Sequence, residues 1–332
     1  MNGISIFAYR VGYDSGVVVS IRHLIEQLKK RQVSYELIFY KNDEEFVEKV
    51  KTCRYECINI QGLQFKDETL KKIVDLKENI TVSIHSTICN LQVEEQSFMR
   101  LLNLARMYPQ LKFTCPSYIE TKGLATCMHA DYRFLPNTFS YPVSEQTISN
   151  NCKKKLDENR PLRISLVCAY RPMKNMLTQV AALMMLAKEK DVELHLLDTN
   201  QKSPIYHDIL EMTKGSELKV VMHKALENKK CFELEGTFDL GLQVSLTETF
   251  SYVAFEHMIQ GVPVIASNSV PFASEIADYS DVLDIKRKIE KVLSNTETYQ
   301  MYCMNARKEA IEVAQYNNQI AVDCIQKLIG GD

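Results

Sequence analysis

No apolar run in this 332-residue chain is longer than the eight residues Val180 to Ala187. A membrane-spanning helix needs about 20, so no span is expected. Neither sign of charge dominates: 40 Lys and Arg stand against 42 Asp and Glu, for a net charge of −2. There is thus no global basic signal for nucleic acid or an anionic membrane, and nucleic acid is disfavoured as a partner. The ten cysteines contain no paired CxxC spacing, so zinc is not indicated, and no other metal-binding cluster stands out. They are scattered, several within apolar runs, which points to reduced, mostly buried thiols in a cytoplasmic protein. Repeats and low-complexity segments are lacking too. The chain opens on a strand-like run, and no leader peptide is expected.

What remains has the make-up of a globular protein, 45% hydrophobic and 25% charged, and the length suits two domains. The stretch Asp239 to Ser267 organises it. Leu240 to Val244 reads as a buried strand, Thr249 to Gln260 as a helix, Gly261 as its stop and Val262 to Ala266 as the next strand. Such units build parallel sheets, whose ligands bind outside the carboxyl ends of the strands. Glu248 falls in the loop at that end. The first N–H groups of the helix, near Thr249 and Phe250, favour an anion. Glu256 follows about two turns in, roughly 9–10 Å along the axis, a spacing suited to a carboxylate on ribose hydroxyls beside a bound pyrophosphate. Two solvated glutamates on an ordinary α/β unit would account for the same spacing taken alone.

Other strand–helix units surround this one. Gly3 to Tyr9 is a first strand and Val17 to Lys30 a helix, joined by the glycine-bearing loop Arg10 to Gly16. Ile80 to Ile84 is a strand that delivers His85 at its carboxyl end. Gln92 to Met107 reads as one helix, and Ser117 as the cap of another. The polar stretch Thr147 to Arg160 reads as a linker. Leu162 to Ala169 opens the second half as a buried strand, followed by Arg171 and Lys174 in the loop Y-R-P-M-K-N before a helix. Arg offers a planar fork for two oxygens and Lys a point charge, both suited to phosphate. Solvated surface cations are the plainer reading. Towards the end, Thr296 to Ala314 and Gln319 to Ile329 read as helices separated by a break at Gln315 to Asn318.

The run S-L-T-E-T-F-S-Y-V-A-F-E-H-M-I-Q-G-V-P-V-I-A-S, with R-P-M-K-N, closely resembles the signature of retaining, nucleotide-sugar-dependent glycosyltransferases of the GT-B fold, family 4, with its E-x7-E motif. The resemblance is strong from Leu162 to Lys308 and rests on element order in the first half. It implies two Rossmann-like α/β domains with parallel sheets facing a deep cleft. The first, residues 1–150, would take the acceptor and be completed by 316–332, with the last helix crossing back. The second, 160–315, would hold the nucleotide-sugar donor. Arg171, Lys174, Thr249 and Phe250 would meet the diphosphate, Glu256 the ribose and Glu248 the sugar. His85 would lie near the transferred sugar and Gly16 in the first loop, where Ser15-Gly16 replaces the family's usual Gly-Gly. The loop from His223 would meet the base, and Pro136-Asn137 would precede the crossover. The resemblance implies transfer of a hexose with retention, without a metal or other cofactor, to an acceptor it does not identify. A nucleotide-sugar-binding protein or partner subunit without turnover, and a DNA-base glycosyltransferase, are the alternatives.

Overall fold

The computed structural model describes residues 2–10, 16–93, 97–140, 150–154, 156, 159–198, 201–224 and 226–331. It divides into two compact units, one of Met1–Tyr141 with Ala314–Asp332 and one of Pro142–Val313.

The first unit carries six parallel strands: β1 (Ile4–Tyr9), β2 (Tyr35–Tyr40), β3 (Cys57–Gln61), β4 (Asn79–Ser83), β5 (Lys112–Cys115) and β6 (Tyr132–Phe134). Their spatial order is β2-β1-β3-β4-β5-β6. The order reverses between β1 and β3, which is where an open parallel sheet leaves a crevice at its carboxyl end. Helices cover both faces because these strands are buried on both sides; Ile4, Ile6, Phe7, Ile58, Ile60 and Val82 are all but inaccessible. The helix Tyr118–Met128 begins as expected, with Ser117 accepting from the Glu120 N–H. Of the helix expected from Gln92 to Met107, the described residues show Ile88–Val93 and Ser97–Met107 as helical. Their junction lies outside the described residues, as do most of the first loop (11–15) and much of the linker.

The second unit has β7 (Leu162–Ser165), β8 (Val192–Asp198), β9 (Lys219–Lys224), β10 (Leu240–Gln243), β11 (Val264–Ala266) and β12 (Glu275–Ile276). Their order is β12-β11-β10-β7-β8-β9, again all parallel. Here the reversal falls between β7 and β10. The helix Met176–Ala187 packs its apolar side, Val180, Leu183 and Leu186, into the core with Ile164, Leu194 and Leu242.

The final helix corrects the expected break. Thr296–Gly330 is one uninterrupted helix. The apolar spacing lapses at residues 315–318 because Asn317 and Asn318 bind backbone. Asn317 Nδ2 donates to the Asn137 carbonyl, Asn318 Nδ2 to that of Phe139, and Phe139 N–H to Asn318 Oδ1. The end of the helix then buries Ala321, Val322, Ile325 and Leu328 against Ile4, Ile6 and Leu28 of the first unit.

All ten cysteines are free thiols. They are less hidden than expected: four are buried, four half-buried, and Cys89 and Cys127 exposed. Among the described residues no helix is long and apolar enough to cross a membrane.

Candidate functional site

The crevice of the second unit is built by two loops, one after β7 and one after β10. The β7 loop makes a 3-10 turn, Pro172–Lys174, that ends at Asn175 in the left-handed region (φ 52°), a conformation asparagine tolerates better than most residues. Asn175 Nδ2 donates to the carbonyls of Val244 (3.1 Å) and Tyr279 (2.8 Å), while Oδ1 accepts from Thr178. Gln179, fully buried, donates to the carbonyls of Lys174 and Asn175 and accepts from the Val244 N–H. Leu246 N–H donates to the Met173 carbonyl. Buried backbone groups of both loops are thereby satisfied by each other, which holds the two loops as one piece.

This stitching brings Lys174 onto Glu248. Nζ lies 2.5 Å from Oε1, with the side chains 22% and 9% exposed. Ser245 Oγ donates to the same carboxylate at 2.8 Å, and Ser267 Oγ fixes the Ser245 carbonyl from β11's end. Arg171 stands at the start of the turn, exposed, its guanidinium in no ion pair among the described residues. Burial pushes the nearby Cys168 thiol up to about 12, so it stays protonated beside the Lys174–Glu248 pair.

The helix start differs from the expected one. The helix is Tyr252–Ile259, and Ser251 is its cap, in extended conformation with its side chain accepting from the Ala254 N–H. Thr249 and Phe250 therefore precede the helix, and the N–H groups ahead of its first helical bond belong to Tyr252 and Val253. The start expected at Thr249 is displaced because the serine two residues on has the cap geometry. The Phe250 ring stacks on Phe272 at 5.0 Å and anchors the loop. Gly261 does stop the helix as read. At φ 78° it donates to Met258, and Val262 donates to His257, the paired bonds of a Schellman end.

Glu256 is half-buried one turn inside the helix, about 6 Å along the axis from Tyr252. Its neighbour is a residue that sequence reasoning missed. Glu235, at the end of the helix Asn228–Glu235, is fully buried, and its carboxyl is held well above the usual range by burial and by the charge of Glu256. Two carboxylates cannot hydrogen-bond without a shared proton; a proton on Glu235 lets it donate to Glu256. No signal in the sequence marks this pair, since it arises from two helices meeting. Gln260 Nε2 bridges them by donating to the carbonyls of Phe232 and Glu256.

His223 lies within β9, so the loop expected there begins later; its Nε2 meets His195 Nδ1 at 2.8 Å. Gly16 opens the first helix of the first unit, exposed and with open space where a side chain would project, so nothing there demands glycine. His85 follows β4, half-buried, Nε2 2.8 Å from Gln61 Oε1, and burial lowers its pKa to about 4. The structure thus groups Arg171, Lys174, Glu248, Thr249, Phe250 and Glu256 in the second unit and leaves Gly16 and His85 in the first. No cluster of three or more His, Cys, Asp or Glu arranged for a metal occurs among the described residues.

Comparison with known proteins follows this division. Residues 149–309 match the family model of glycosyl transferases group 1. Solved structures extend the likeness over the whole chain. Sucrose-phosphate synthase from Thermosynechococcus elongatus superposes with a TM-score of 0.76 at 15% identity, covering 100% of both chains. HepE from Anabaena, in complex with UDP and glucose, superposes at 0.70 and 14% identity over 98% of this chain and 99% of its own. An E. coli trehalose-6-phosphate protein bound with UDP-2-fluoro glucose gives 0.68 at 10% identity over 98% of each. The two six-stranded parallel sheets are those of the GT-B fold. No curated protein matches the chain in sequence.

Proposed function

We propose that the chain is a retaining, family 4 glycosyltransferase that moves a hexose from a nucleoside-diphosphate sugar to a hydroxyl acceptor, with the second unit as the donor site. The observation that carries this reading is the Lys174–Glu248 pair, set by the stitched loops at the reversal point between β7 and β10. In this reading Lys174 turns from Glu248 to the diphosphate, joined by Arg171 and by the N–H groups at the start of the helix Tyr252–Ile259. Glu248, released, takes hydroxyls of the sugar, and Glu256 takes the ribose. The acceptor oxygen bonds to the anomeric carbon as the bond to the phosphate oxygen breaks. The leaving phosphate, on the same face, receives the acceptor's proton, which conserves configuration. Preset positive charge opposite the developing phosphate charge is the principal catalytic effect. Two side-chain cations and a helix start supply that charge without a divalent ion, so activity survives EDTA.

The test is a thermal-shift screen of nucleoside-diphosphate sugars, UDP-glucose first because HepE from Anabaena, of the same fold, was solved with it. Release of nucleoside diphosphate is then measured with hydroxyl acceptors present and absent. Stabilisation followed by acceptor-dependent release, with the product's anomeric proton unchanged in configuration, supports the reading. Stabilisation without release under any acceptor makes the chain a binding protein or partner subunit. Activity lost to EDTA and restored by magnesium overturns the role given to Arg171 and Lys174.

A further inference from the structure

Glu235 is an acidic residue in a place that tolerates no charge. It closes the helix Asn228–Glu235, and its side chain is entirely hidden from solvent. A buried carboxylate must be paired with a cation or take up a proton. The cations of neighbouring segments are committed elsewhere. Lys154 Nζ lies 2.6 Å from Asp239 and donates to the carbonyls of Thr237 and Phe238. Arg163 Nη1 donates to the Thr237 carbonyl at 3.3 Å, and its guanidinium lies 5.4 Å from the centre of the Phe238 ring. Arg307 Nη1 reaches the Ile259 carbonyl at 3.4 Å. On its own helix, Cys231 Sγ donates to Glu235 Oε1 at 3.6 Å. Among the described residues no N–H or hydroxyl donor meets Oε2. What Glu235 does meet is the carboxyl of Glu256, with which it shares a hydrogen bond. Two carboxyls joined in this way hold one proton, and desolvation places it on the more deeply buried of them, Glu235. Glu256, half-buried, keeps the charge.

Two further contacts fix the geometry of the pair. Gln260 Nε2 ties the two helices together, donating to the Phe232 carbonyl at 2.8 Å and to the Glu256 carbonyl at 3.0 Å. Gly236, directly after Glu235, leaves room for that amide, since a methyl there would collide with Gln260 Oε1. The two helices therefore meet with their carboxyls in a set register.

We infer that Glu235 is a positioning residue: as the neutral acid it donates its hydrogen to Glu256 and holds that carboxylate, ionised and turned, for the hydroxyls of a ligand diol. A carboxylate has about four lone-pair sites on its two oxygens, and the bond from Glu235 uses one of them. The pair carries one negative charge instead of two, which spares a neighbouring diphosphate the repulsion of a second. Removing the donor frees Glu256 to rotate, and the entropy of fixing it then falls on ligand binding. Taking the diol as the nucleotide's ribose rests on the proposed donor site; the protonated Glu235 does not.

The experiment pairs infrared spectroscopy with calorimetry on the full chain. Ordinary glutamates, with pKa near 4.3, are ionised at about pH 7, so a protonated-carboxyl band is expected there that vanishes in Glu235→Gln. Glu256→Gln replaces the charged acceptor by a neutral amide and should move the band to higher frequency. Calorimetry uses UDP, ADP and GDP with their dideoxyribose counterparts. Glu235→Met, which fills the site without a donor, should weaken the ribonucleotide that binds roughly tenfold and leave its dideoxyribose form unchanged. Glu235→Gln restores an N–H donor, and its affinity should stay within about twofold of the parent's. A merely structural Glu235 predicts equal effects on both nucleotide forms. The proposal is overturned by the lack of a protonated band in the unaltered protein, by a band that ignores Glu256→Gln, or by ribonucleotide affinity untouched in Glu235→Met. Glu235→Gln losing as much as Glu235→Met overturns it too. Should Glu235→Met fail to fold, the bands and the Glu235→Gln arm still decide. If the unaltered protein binds none of the three nucleotides, the donor reading fails, while the bands still decide whether Glu235 donates to Glu256.

Discussion

Replacing Lys174 by alanine removes one partner of a contact that the two loops are stitched to make. At 2.5 Å and the effective dielectric constant of about 20 that suits partly exposed sites, the gross attraction of the two charges is about 7 kcal/mol. Desolvation offsets much of this, so the measurable cost of stranding Glu248, 9% exposed, is about 3 kcal/mol. Urea unfolding of the second unit's transition reads it. Glu248→Gln keeps a hydrogen-bond acceptor for Ser245 and leaves the more exposed Lys174 to water, so it costs less. The double variant then recovers stability, with a coupling of about 1–3 kcal/mol in the cycle. Turnover behaves differently, because in the proposed mechanism Lys174 meets phosphate and Glu248 the sugar. Lys174→Ala should lose roughly 10²–10³ in turnover, and the double variant should not regain it. Lys174→Ala within about 0.5 kcal/mol of the parent and equally active would mark a solvated surface cation and refute the reasoning.

Three further outcomes are expected. Glu256→Ala should weaken nucleotide-sugar binding by about 1–3 kcal/mol, read by calorimetry, with turnover at saturation less affected. Gly261→Ala forces a methyl into the left-handed end of the helix, 3.1 Å from Cys152 Sγ, and should lower stability by about 1–2 kcal/mol in thermal unfolding; no loss would mean that the Schellman end is dispensable. Acid should destabilise the fold early. His23, His85, His195 and His257 have pKa values lowered by burial to about 4 from 6.5, so the unfolded chain takes up their protons first. The stability held by their neutral forms is whole above about pH 6.5 and declines as pH falls towards 4, and a melting temperature flat across that window would contradict the burial.

The second unit was legible because its cues are local. Gly261 ends a helix by its own backbone freedom, and R-P-M-K-N and the two glutamates sit where strand ends must deliver them. Ser251 was also legible in principle, a capping residue two positions past the expected start of the helix. Glu235 and Gln61 were not. A glutamate late in a short polar helix and a glutamine ending a strand look like solvent-facing residues, and only burial against Glu256 and His85 gives each a partner. Asn317 and Asn318 show the converse, a lapse in apolar spacing that signals hydrogen bonding to a distant turn rather than a break in the helix.

The uninterrupted last helix has a consequence for how the protein is made. Ile4, Ile6, Ala8 and Leu28 leave the ribosome some 300 positions ahead of their covering residues, Ala321, Val322, Ile325 and Leu328. Until those arrive, the first sheet keeps an apolar face open, while the second unit, a single continuous segment of the chain, has everything it needs to close. The second unit is then the earlier to mature, and the nascent first unit is the species in need of a chaperone.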